Sequence, residues 1–437
     1  MLCVYGSAGD LPASWLFGLR STTASTPSHL SISQAHRGLS SFVQSILPSH
    51  SPSLFYMKIR MPLPEPHITP DSFFHETTIP TRTPASSQAT HYPTTIYFIT
   101  GNPGLISYYH AFLSSLGQKL SALPGDGSPN SESEKGGKNS VHILGHSLAG
   151  FELESSTKSK KDGIGNMDGD GDHYFSLEEQ ICFVQRRLSG HMADLWKTST
   201  SSMTKSRPKV ILIGHSVGTY MAMEILRRHR ETHSEKSEQQ NFDIVGGILL
   251  FPTVKDIAAS PSGKKLTFLL RLIPQLALVV SIFARILVTL LPASILSGAV
   301  NLVMKGPPRE AAHATCEFLR SKRGVRQALH MAADEMRTIT SDKWSDDVWG
   351  VSSPSAAKTE SELAPPAQLF FYFGRNDHWV AERTREEIIT SRGSVNEKEG
   401  EGPRMVVCEE AVPHAFCLRH SELMAGKTAD MIQEILG

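Results

Sequence analysis

The sequence predicts an α/β fold in which helices cover both faces of a doubly wound, mostly parallel β-sheet. The first observation is a set of uninterrupted apolar runs, as expected of buried parallel strands: 95–100, 141–144, 210–213, 244–251, 369–373 and 405–408. The second is that helical stretches separate these runs, at 108–123, 177–196, 218–230 and 309–339, with a last one at 422–436. Alternation of strands and helices is typical of this class.

Composition excludes several classes of protein. A chain of 437 residues with 40% hydrophobic residues can bury a sizeable core, so disorder throughout is excluded. Its 43 Lys and Arg balance 43 Asp and Glu, and without a global positive field we expect no nucleic-acid partner. The five cysteines form no CxxC pair, which argues against a disulfide framework or structural zinc and favours a reducing compartment. We predict neither a cofactor nor a bound metal.

The chain divides into an extension and one domain. Residues 1–60 show no clear helical or strand periodicity. We therefore expect a disordered or lid-like extension, with a transit peptide as the alternative. Residues 61–437 form the predicted domain, which the Pro-rich stretch 61–84 enters as extended chain. Polar inserts predicted to be solvated surface loops lie at 125–140, 155–172, 342–366 and 393–403.

A candidate nucleophile lies between an apolar strand and a helix. The segment Gly214-His215-Ser216-Val217-Gly218 is a GxSxG motif in the context that a nucleophile elbow requires. The elbow puts its serine in a strained turn, and the residues two before and two after must be small because the chain folds back there. We therefore predict Ser216 as the nucleophile. A glycine-rich turn without chemistry is the alternative.

A second serine, Ser147, competes for this role. It lies in Gly145-His146-Ser147-Leu148-Ala149, which also follows an apolar strand. However, Ala149 replaces the second glycine, and the segment FELESSTKSKKDG that follows has no amphipathic helical pattern. We therefore predict that Ser147 is not the nucleophile.

An acid and a histidine follow the later strands. Asp377 comes just after the strand LFFYF, and His414 comes after MVVC, so both can reach the crevice above the sheet. The chain order Ser, acid, His is that of α/β-hydrolases, and it predicts this fold and a Ser216–His414–Asp377 triad. Asp377 would orient His414, which would take and return the Ser216 proton. His378 and His420 are the weaker candidates for the base.

Oxyanion donors are expected from two loops. One is the backbone N–H of Val217, directly after the nucleophile. The other should come from Gly101-Asn102-Pro103-Gly104, which follows the strand TIYFIT. Pro103 has no N–H, so Asn102 is the first choice and Gly104 the second.

An acidic segment resembles a calcium loop in part. Asp168, Asp170, Asp172 and Glu179 match positions 1, 3, 5 and 12 of such a loop. Position 6 needs glycine but holds His173, and no helix enters the loop. A solvated acidic loop before a helix at Leu177 explains the same residues.

An apolar segment lies between the strand ending at Phe251 and Asp377. Residues 266–304 are apolar but broken by Pro274 and Pro292, and 257–309 holds no acid. Its charges are all cationic: Lys264, Lys265, Arg271, Arg285, Lys305 and Arg309. This pattern predicts an interfacial anchor or hairpin in which 262–307 binds a lipid monolayer or membrane surface. A soluble cap over the site is the alternative, and the two can coexist in a lid.

Several segments together resemble the lipid-droplet-associated hydrolase family of α/β-hydrolases. They are GNPGLISYYHAF, YFSLEEQICFVQRRL, VILIGHSVGTYMAMEIL, GGILLFPTVKDIAASPSGK, FGRNDHWV and VPHAFCLRHSE. The resemblance covers roughly Ile96 to the C-terminus apart from the polar inserts. It implies Ser216, Asp377 and His414 as the triad and residence on lipid droplets and the endoplasmic reticulum. It also implies that 144–150 is not an elbow. From the apolar, cationic segment we expect binding at the cytoplasmic face of the endoplasmic reticulum.

These observations predict a serine ester hydrolase with an inserted apolar cap. The expected substrate is a lipid ester, with sterol esters and acylglycerols as the candidates that the resemblance implies. A lipid acyltransferase or thioesterase with the same triad is the rival enzyme, because an acyl-enzyme accepts either water or another nucleophile. The rival outside enzymes is a non-catalytic protein that organises the droplet surface.

Overall fold

The fold is built on one eight-stranded sheet. The computed structural model describes residues 65–84, 92–123, 136–153, 173–198, 207–234, 241–351, 366–393 and 402–437. The strands are β1 His67–Thr69, β2 Ser72–Pro84, β3 Thr94–Ile99, β4 Gly136–His146, β5 Lys209–His215, β6 Asp243–Leu250, β7 Gln368–Phe373 and β8 Arg404–Val407. Their order across the sheet is β1-β2-β4-β3-β5-β6-β7-β8.

The sheet is parallel except at one edge. Neighbours from β4 through β3 to β8 pair in parallel, whereas β2 pairs antiparallel with both β1 and β4. The described helices are α1 His110–Ala122, α2 Leu177–Thr198, α3 Val217–Ser234, α4 Pro261–Leu272, α5 Leu276–Leu290, α6 Ala293–Val303, α7 Arg309–Arg320, α8 Gly324–Thr338, α9 Glu382–Arg392 and α10 Ser421–Leu436. The predicted fold class is confirmed.

Hydrophobic residues cover both faces of the sheet. Along β3, Ile96 and Phe98 pack on one side with residues of α1 and α10. Tyr97 and Ile99 pack on the other side with residues of α2 and α3. All of β3 is buried, which explains why its sequence is a continuous apolar run and not an alternating one.

Three sequence-based expectations about local structure are wrong, and a fourth is incomplete. The stretch 61–84 is mostly extended where it is described, as predicted, but it also joins the sheet, because β1 and β2 pair antiparallel with their neighbours. The insert 125–140 was expected to be loop, but β4 begins at Gly136 and pairs with β2. The helical stretch 309–339 is two helices, because the chain bends between α7 and α8. Finally, the insert 342–366 was expected to be solvated, yet Trp344 and Trp349 are buried.

Three other predicted features lie outside the described residues. They are the extension 1–60, the acidic loop 168–172 within the insert 155–172, and 394–401 within the insert 393–403.

The chain between β6 and β7 forms a helical cap. It contains α4 to α8, and α5 packs against both α7 and α8. Helix α4 begins where Ser260 Oγ accepts a hydrogen bond from Gly263 N–H, with Pro261 as its first residue. No described helix is long and apolar enough to span a membrane alone, although α4 and α5, bent by 94°, satisfy the length and composition criteria together.

Candidate active site

Ser216 lies in a sharp turn between β5 and α3. Its φ angle is 54°, in the left-handed region that non-glycine residues adopt at strained positions. A Cβ atom at Gly214 would lie 2.4 Å from the carbonyl oxygen of Gly218, and one at Gly218 would lie 2.4 Å from that of Ile99. Both positions therefore need glycine, as a nucleophile elbow does.

Ser216, His414 and Asp377 form a continuous hydrogen-bonded chain. Asp377 follows β7 and His414 follows β8, so the carboxyl ends of the strands bring them to the turn after β5. Ser216 Oγ lies 2.8 Å from His414 Nε2. His414 Nδ1 lies 2.8 Å from Asp377 Oδ2 and 2.9 Å from Oδ1. The structure thus brings together the three side chains selected from the sequence.

The environment of Asp377 favours its charged form. Burial by itself would raise the pKa of this carboxyl, but His414 and the Trp379 N–H, which donates at 2.8 Å, hold the pKa below its usual value. An ionised Asp377 accepts from His414 Nδ1–H, so Nε2 is free to accept the Ser216 hydroxyl proton. This is the tautomer in which His414 can act as a base.

The two expected oxyanion loops adjoin Ser216. Val217 is the first residue of α3, so its N–H has no acceptor within the helix. Asn102 lines the pocket beside Ser216, and no described residue accepts a hydrogen bond from its backbone N–H. A Cβ at Gly104 would lie 2.6 Å from Leu148 Cβ, so Gly104 packs under the loop and not against the described pocket. Asn102 is therefore better placed than Gly104.

The pocket in front of Ser216 has mostly apolar walls. Its lining includes Tyr108, Ile257, Ala332, Trp379 and Leu418. The carboxyl of Glu335 on α8 also lines it, although the side chain is otherwise buried. An apolar group attached to an ester carbonyl fits walls of this chemistry.

Ser147 forms hydrogen bonds with the backbone of neighbouring segments. Its Oγ accepts a hydrogen bond from Ile106 N–H at 3.2 Å, and its own N–H donates to Asp71 O at 3.0 Å. Ser147 is buried in the turn after β4, and no described histidine bonds to it.

The weaker histidine candidates are hydrogen-bonded elsewhere or have no described partner. His378 Nδ1 shares a hydrogen bond of 3.0 Å with Ser262 Oγ on α4. His420 precedes α10, and its Nδ1 is buried without a partner among the described residues. Neither histidine is hydrogen-bonded to Ser216 in the described part of the chain.

Glu179, which matches position 12 of the calcium-like pattern, stabilises a helix end. Its Oε2 accepts from Ser176 N–H at 2.8 Å, and its own N–H donates to Ser176 Oγ at 3.3 Å. This reciprocal pair is a capping box at the start of α2. Within the described ranges, no three His, Cys, Asp or Glu side chains converge to hold a metal.

Sequence reasoning missed three residues that contact the site. Tyr109 hydrogen-bonds to His215 at 2.8 Å, and both line the pocket. Glu335 lies on the buried stripe of α8, one turn after Met331 and one turn before Ile339. A carboxyl on such a stripe was the available signal, because a buried Glu needs a polar partner. His215 carried no comparable signal.

Comparisons with known proteins identify relatives across animals and an amoeba. A family model described as "Lipid-droplet associated hydrolase" matches residues 92–417. A lipid droplet-associated hydrolase of Gallus gallus is 23% identical, over 77% of this chain and 84% of its own. One of Dictyostelium discoideum is 22% identical, over 77% of this chain and 86% of its own.

A solved structure is also similar to this chain. The haloalkane dehalogenase DbeA from Bradyrhizobium elkani is 13% identical with a TM-score of 0.41, over 83% of this chain and 94% of that protein. The family model matches most of the chain, from β3 to the residues after β8. The chain belongs to the lipid-droplet associated hydrolase family and is a hydrolase with the α/β-hydrolase fold.

Proposed function

We propose that this hydrolase is a serine esterase that cleaves a lipid ester, a sterol ester or an acylglycerol, at the surface of lipid droplets. The observation that carries the proposal is the continuous hydrogen-bonded chain from Ser216 through His414 to Asp377. Nucleophile, base and orienting acid are the groups that acyl transfer needs, and an apolar pocket opens in front of them.

The geometry supports a two-step reaction. Ser216 Oγ attacks the ester carbonyl carbon while His414 Nε2 takes the hydroxyl proton, and the N–H groups of Val217 and Asn102 stabilise the oxyanion. Collapse breaks the bond to the alcohol, which leaves with the proton from His414. Water then attacks the acyl-enzyme with His414 again as base, and the acid leaves as Ser216 regains its proton.

The cap surface supports docking on lipid. Helices α4 to α6 expose large apolar side chains, among them Phe268, Leu272, Phe283, Leu290 and Leu302, each more than 60% exposed. The six cations of this segment are exposed too, and none forms an ion pair with a described residue. A folded protein exposes such a patch at a cost unless something covers it. Apolar insertion with cations beside anionic headgroups would cover it.

The packing of these helices favours interfacial docking. Leu276, Leu296 and Val300 are buried against the rest of the protein, so one side of the cap is packed and the other exposed. With one side packed and the other exposed, the cap can lie parallel to a lipid surface and insert its exposed apolar side chains. The proposed surfaces are the droplet monolayer and the cytoplasmic face of the endoplasmic reticulum.

Labelling with a fluorophosphonate, which reacts with activated serines, tests the enzymatic part. Wild-type protein should be labelled and should hydrolyse a short-chain ester, whereas Ser216→Ala should lose both activities by several orders of magnitude. Ser147→Ala is the matched control. This serine lies in a similar sequence motif, but its Oγ accepts a hydrogen bond from Ile106 N–H. Loss of labelling in Ser147→Ala but not in Ser216→Ala would overturn the assignment.

A lipid assay separates hydrolysis from acyl transfer. Purified protein incubated with droplets that contain sterol esters and acylglycerols should release free fatty acid. Transfer of the acyl group to an added alcohol without release of acid would identify the transferase. No labelling of folded protein would favour the non-catalytic role.

A further inference from the structure

The cap contacts the oxyanion loop through one side chain. Asn102 Nδ2 donates to Ala328 O at 2.9 Å and to Glu335 Oε1 at 2.8 Å, both on α8. The amide of Asn102 therefore uses both of its N–H groups on a helix more than 200 residues away in sequence. The same residue is the candidate backbone donor beside Ser216.

Glu335 is an unusual residue for this position. It is 5% exposed, yet it lines the pocket that contains Ser216. No described Lys, Arg or His forms an ion pair with it. An ionised carboxylate without a cation is costly at a buried site, and here it would also lie near the developing oxyanion.

We infer that Glu335 is a positioning residue for the hydrolytic reaction: uncharged, it accepts from Asn102 and fixes the oxyanion loop beside Ser216. The inference rests on the proposed ester hydrolysis. It makes the cap part of the catalytic machinery, because displacement of α8 would release Asn102. It also gives a reason for a carboxyl in the apolar pocket.

The electrostatic surroundings agree with an uncharged group. Burial raises the pKa of Glu335 to about 8, the hydrogen bond from Asn102 lowers it, and the neighbouring Asp334 on α8 raises it. Across the pocket lie His215, His414, Tyr109 and Cys417. Burial lowers the pKa of His215 and raises those of Tyr109 and Cys417, so these three are uncharged near neutral pH. The other cap elements packed on α8 contribute no charged side chain to the described lining.

The ionisation of Glu335 should change turnover with pH in a defined direction. Below a pH of about 8, Glu335 is neutral and does not oppose the oxyanion. As the pH rises through that value the group ionises, and its negative charge repels the negative charge that develops on the substrate. Turnover should therefore decline on the alkaline side.

Glu335→Gln tests the charge. The amide keeps an oxygen that accepts from Asn102 but cannot ionise, so Glu335→Gln should restore most of the kcat that Glu335→Ala loses at pH 7, and the alkaline decline should disappear. Glu224→Gln is the matched control, since Glu224 is also buried but bonds to Trp344 Nε1 at 3.0 Å, outside the described pocket. This control should keep the alkaline decline.

Glu335→Ala tests positioning. It should lower kcat by about 10- to 100-fold with a smaller change in KM, because loss of one oxyanion donor costs about 10²- to 10³-fold and a misplaced donor somewhat less. Asn102→Ala should lower kcat similarly. The double variant should be little worse than either single one, since both remove the same contact.

Three results would overturn the inference: an unchanged alkaline decline in Glu335→Gln, wild-type kcat in Glu335→Ala, or independent losses in the double variant. If Glu335→Ala does not fold, judged by circular dichroism, the pH profile of Glu335→Gln decides. Ser216→Ala distinguishes failure of the proposed function from failure of this inference. If it retains activity, the proposed function fails, but if it is inactive while the Glu335 variants match the wild type, only this inference fails.

Discussion

His215 Nε2–H donates a hydrogen bond of 2.9 Å to the backbone carbonyl oxygen of His414. Its other nitrogen, Nδ1, accepts from the Tyr109 hydroxyl at 2.8 Å, and that hydroxyl accepts from Gly101 N–H at 3.2 Å. This chain of bonds joins His215, the residue before Ser216, to His414, the proposed base, and to Gly101 in the proposed oxyanion loop. The residue between glycine and serine in this GxSxG motif therefore supports the loop that carries His414.

Replacing His215 should impair turnover without removing a reacting group. His215→Phe keeps an aromatic ring but leaves His414 O without its donor, which should lower the free energy of unfolding by about 1–3 kcal/mol. Displacement of His414 should lower kcat by roughly tenfold or more. His215→Gln, which retains an N–H donor, should recover part of the loss. Ester hydrolysis and urea unfolding measure the two effects.

The control for this prediction is His229→Phe, because His229 is also buried but stacks on Phe242. It should change stability and leave kcat close to the wild type. Wild-type turnover in His215→Phe would show that the bond to His414 does not position the base.

Changes to the acid and the base should be severe. Asp377→Asn should preserve the fold but lower kcat by about 10⁴-fold, the loss that this change causes in a serine protease, because the amide selects the wrong His414 tautomer. A comparable loss is expected for His414→Ala. Steady-state hydrolysis of a soluble ester measures both. Activity retained by His414→Ala would move the base elsewhere, and His378 would be tested next.

Histidines whose pKa is lowered by folding should make stability depend on pH. Burial lowers the pKa of His146 to about 4, against about 6.5 in an unfolded chain. The unfolded state then binds the proton first, so the contribution of this residue to stability falls as the pH drops from about 6.5 to 4. His146→Gln should therefore show a pH dependence shallower by up to ~1.4 kcal/mol per pH unit in that window.

Urea unfolding at pH 7, 6 and 5 measures this difference. Glu335 acts in the opposite sense, because its raised pKa means that the folded state binds the proton first, so Glu335→Gln should steepen the same curve. Parallel curves for His146→Gln and the wild type would show that folding does not lower the pKa of His146.

Binding to lipid should depend on exposed residues of the cap. Phe283 and Leu290 are 71% and 74% exposed, so Phe283→Ser with Leu290→Ser should abolish binding to droplets while leaving short-chain ester hydrolysis intact. Arg271→Glu with Arg285→Glu should weaken binding to anionic vesicles, since each cation contributes about 1 kcal/mol near such a surface. Vesicle flotation measures both.

Lys209→Glu is the control for charge, because this exposed residue begins β5, away from the cap. Alkaline carbonate separates the modes of attachment: a peripheral cap should be released, whereas an inserted hairpin stays in the pellet. If droplet binding survives the Phe283 and Leu290 changes, the apolar face is not the docking surface.

The sequence by itself determined the features that are local in the chain. The elbow around Ser216 could be predicted because strand, tight turn and helix are consecutive, and the two glycines are required by the backbone of that same turn. Asp377 and His414 could be selected because each directly follows a strand, and the ends of parallel strands converge at one edge of a sheet. The apolar segment within 257–309, whose charged residues are all cations, could also be recognised from the sequence, because composition alone defines it.

Only the tertiary structure decided which distant groups meet. Antiparallel pairing of β2 with β4 turned a Pro-rich stretch into sheet, because a strand gains its hydrogen bonds from a partner and not from its own sequence. The bonds from Asn102 to Glu335 and from His215 to His414 join residues about 200 positions apart. No local pattern encodes such bonds, because they depend on how α8 and the loop after β8 dock against the sheet, and that docking is set by packing over the whole core.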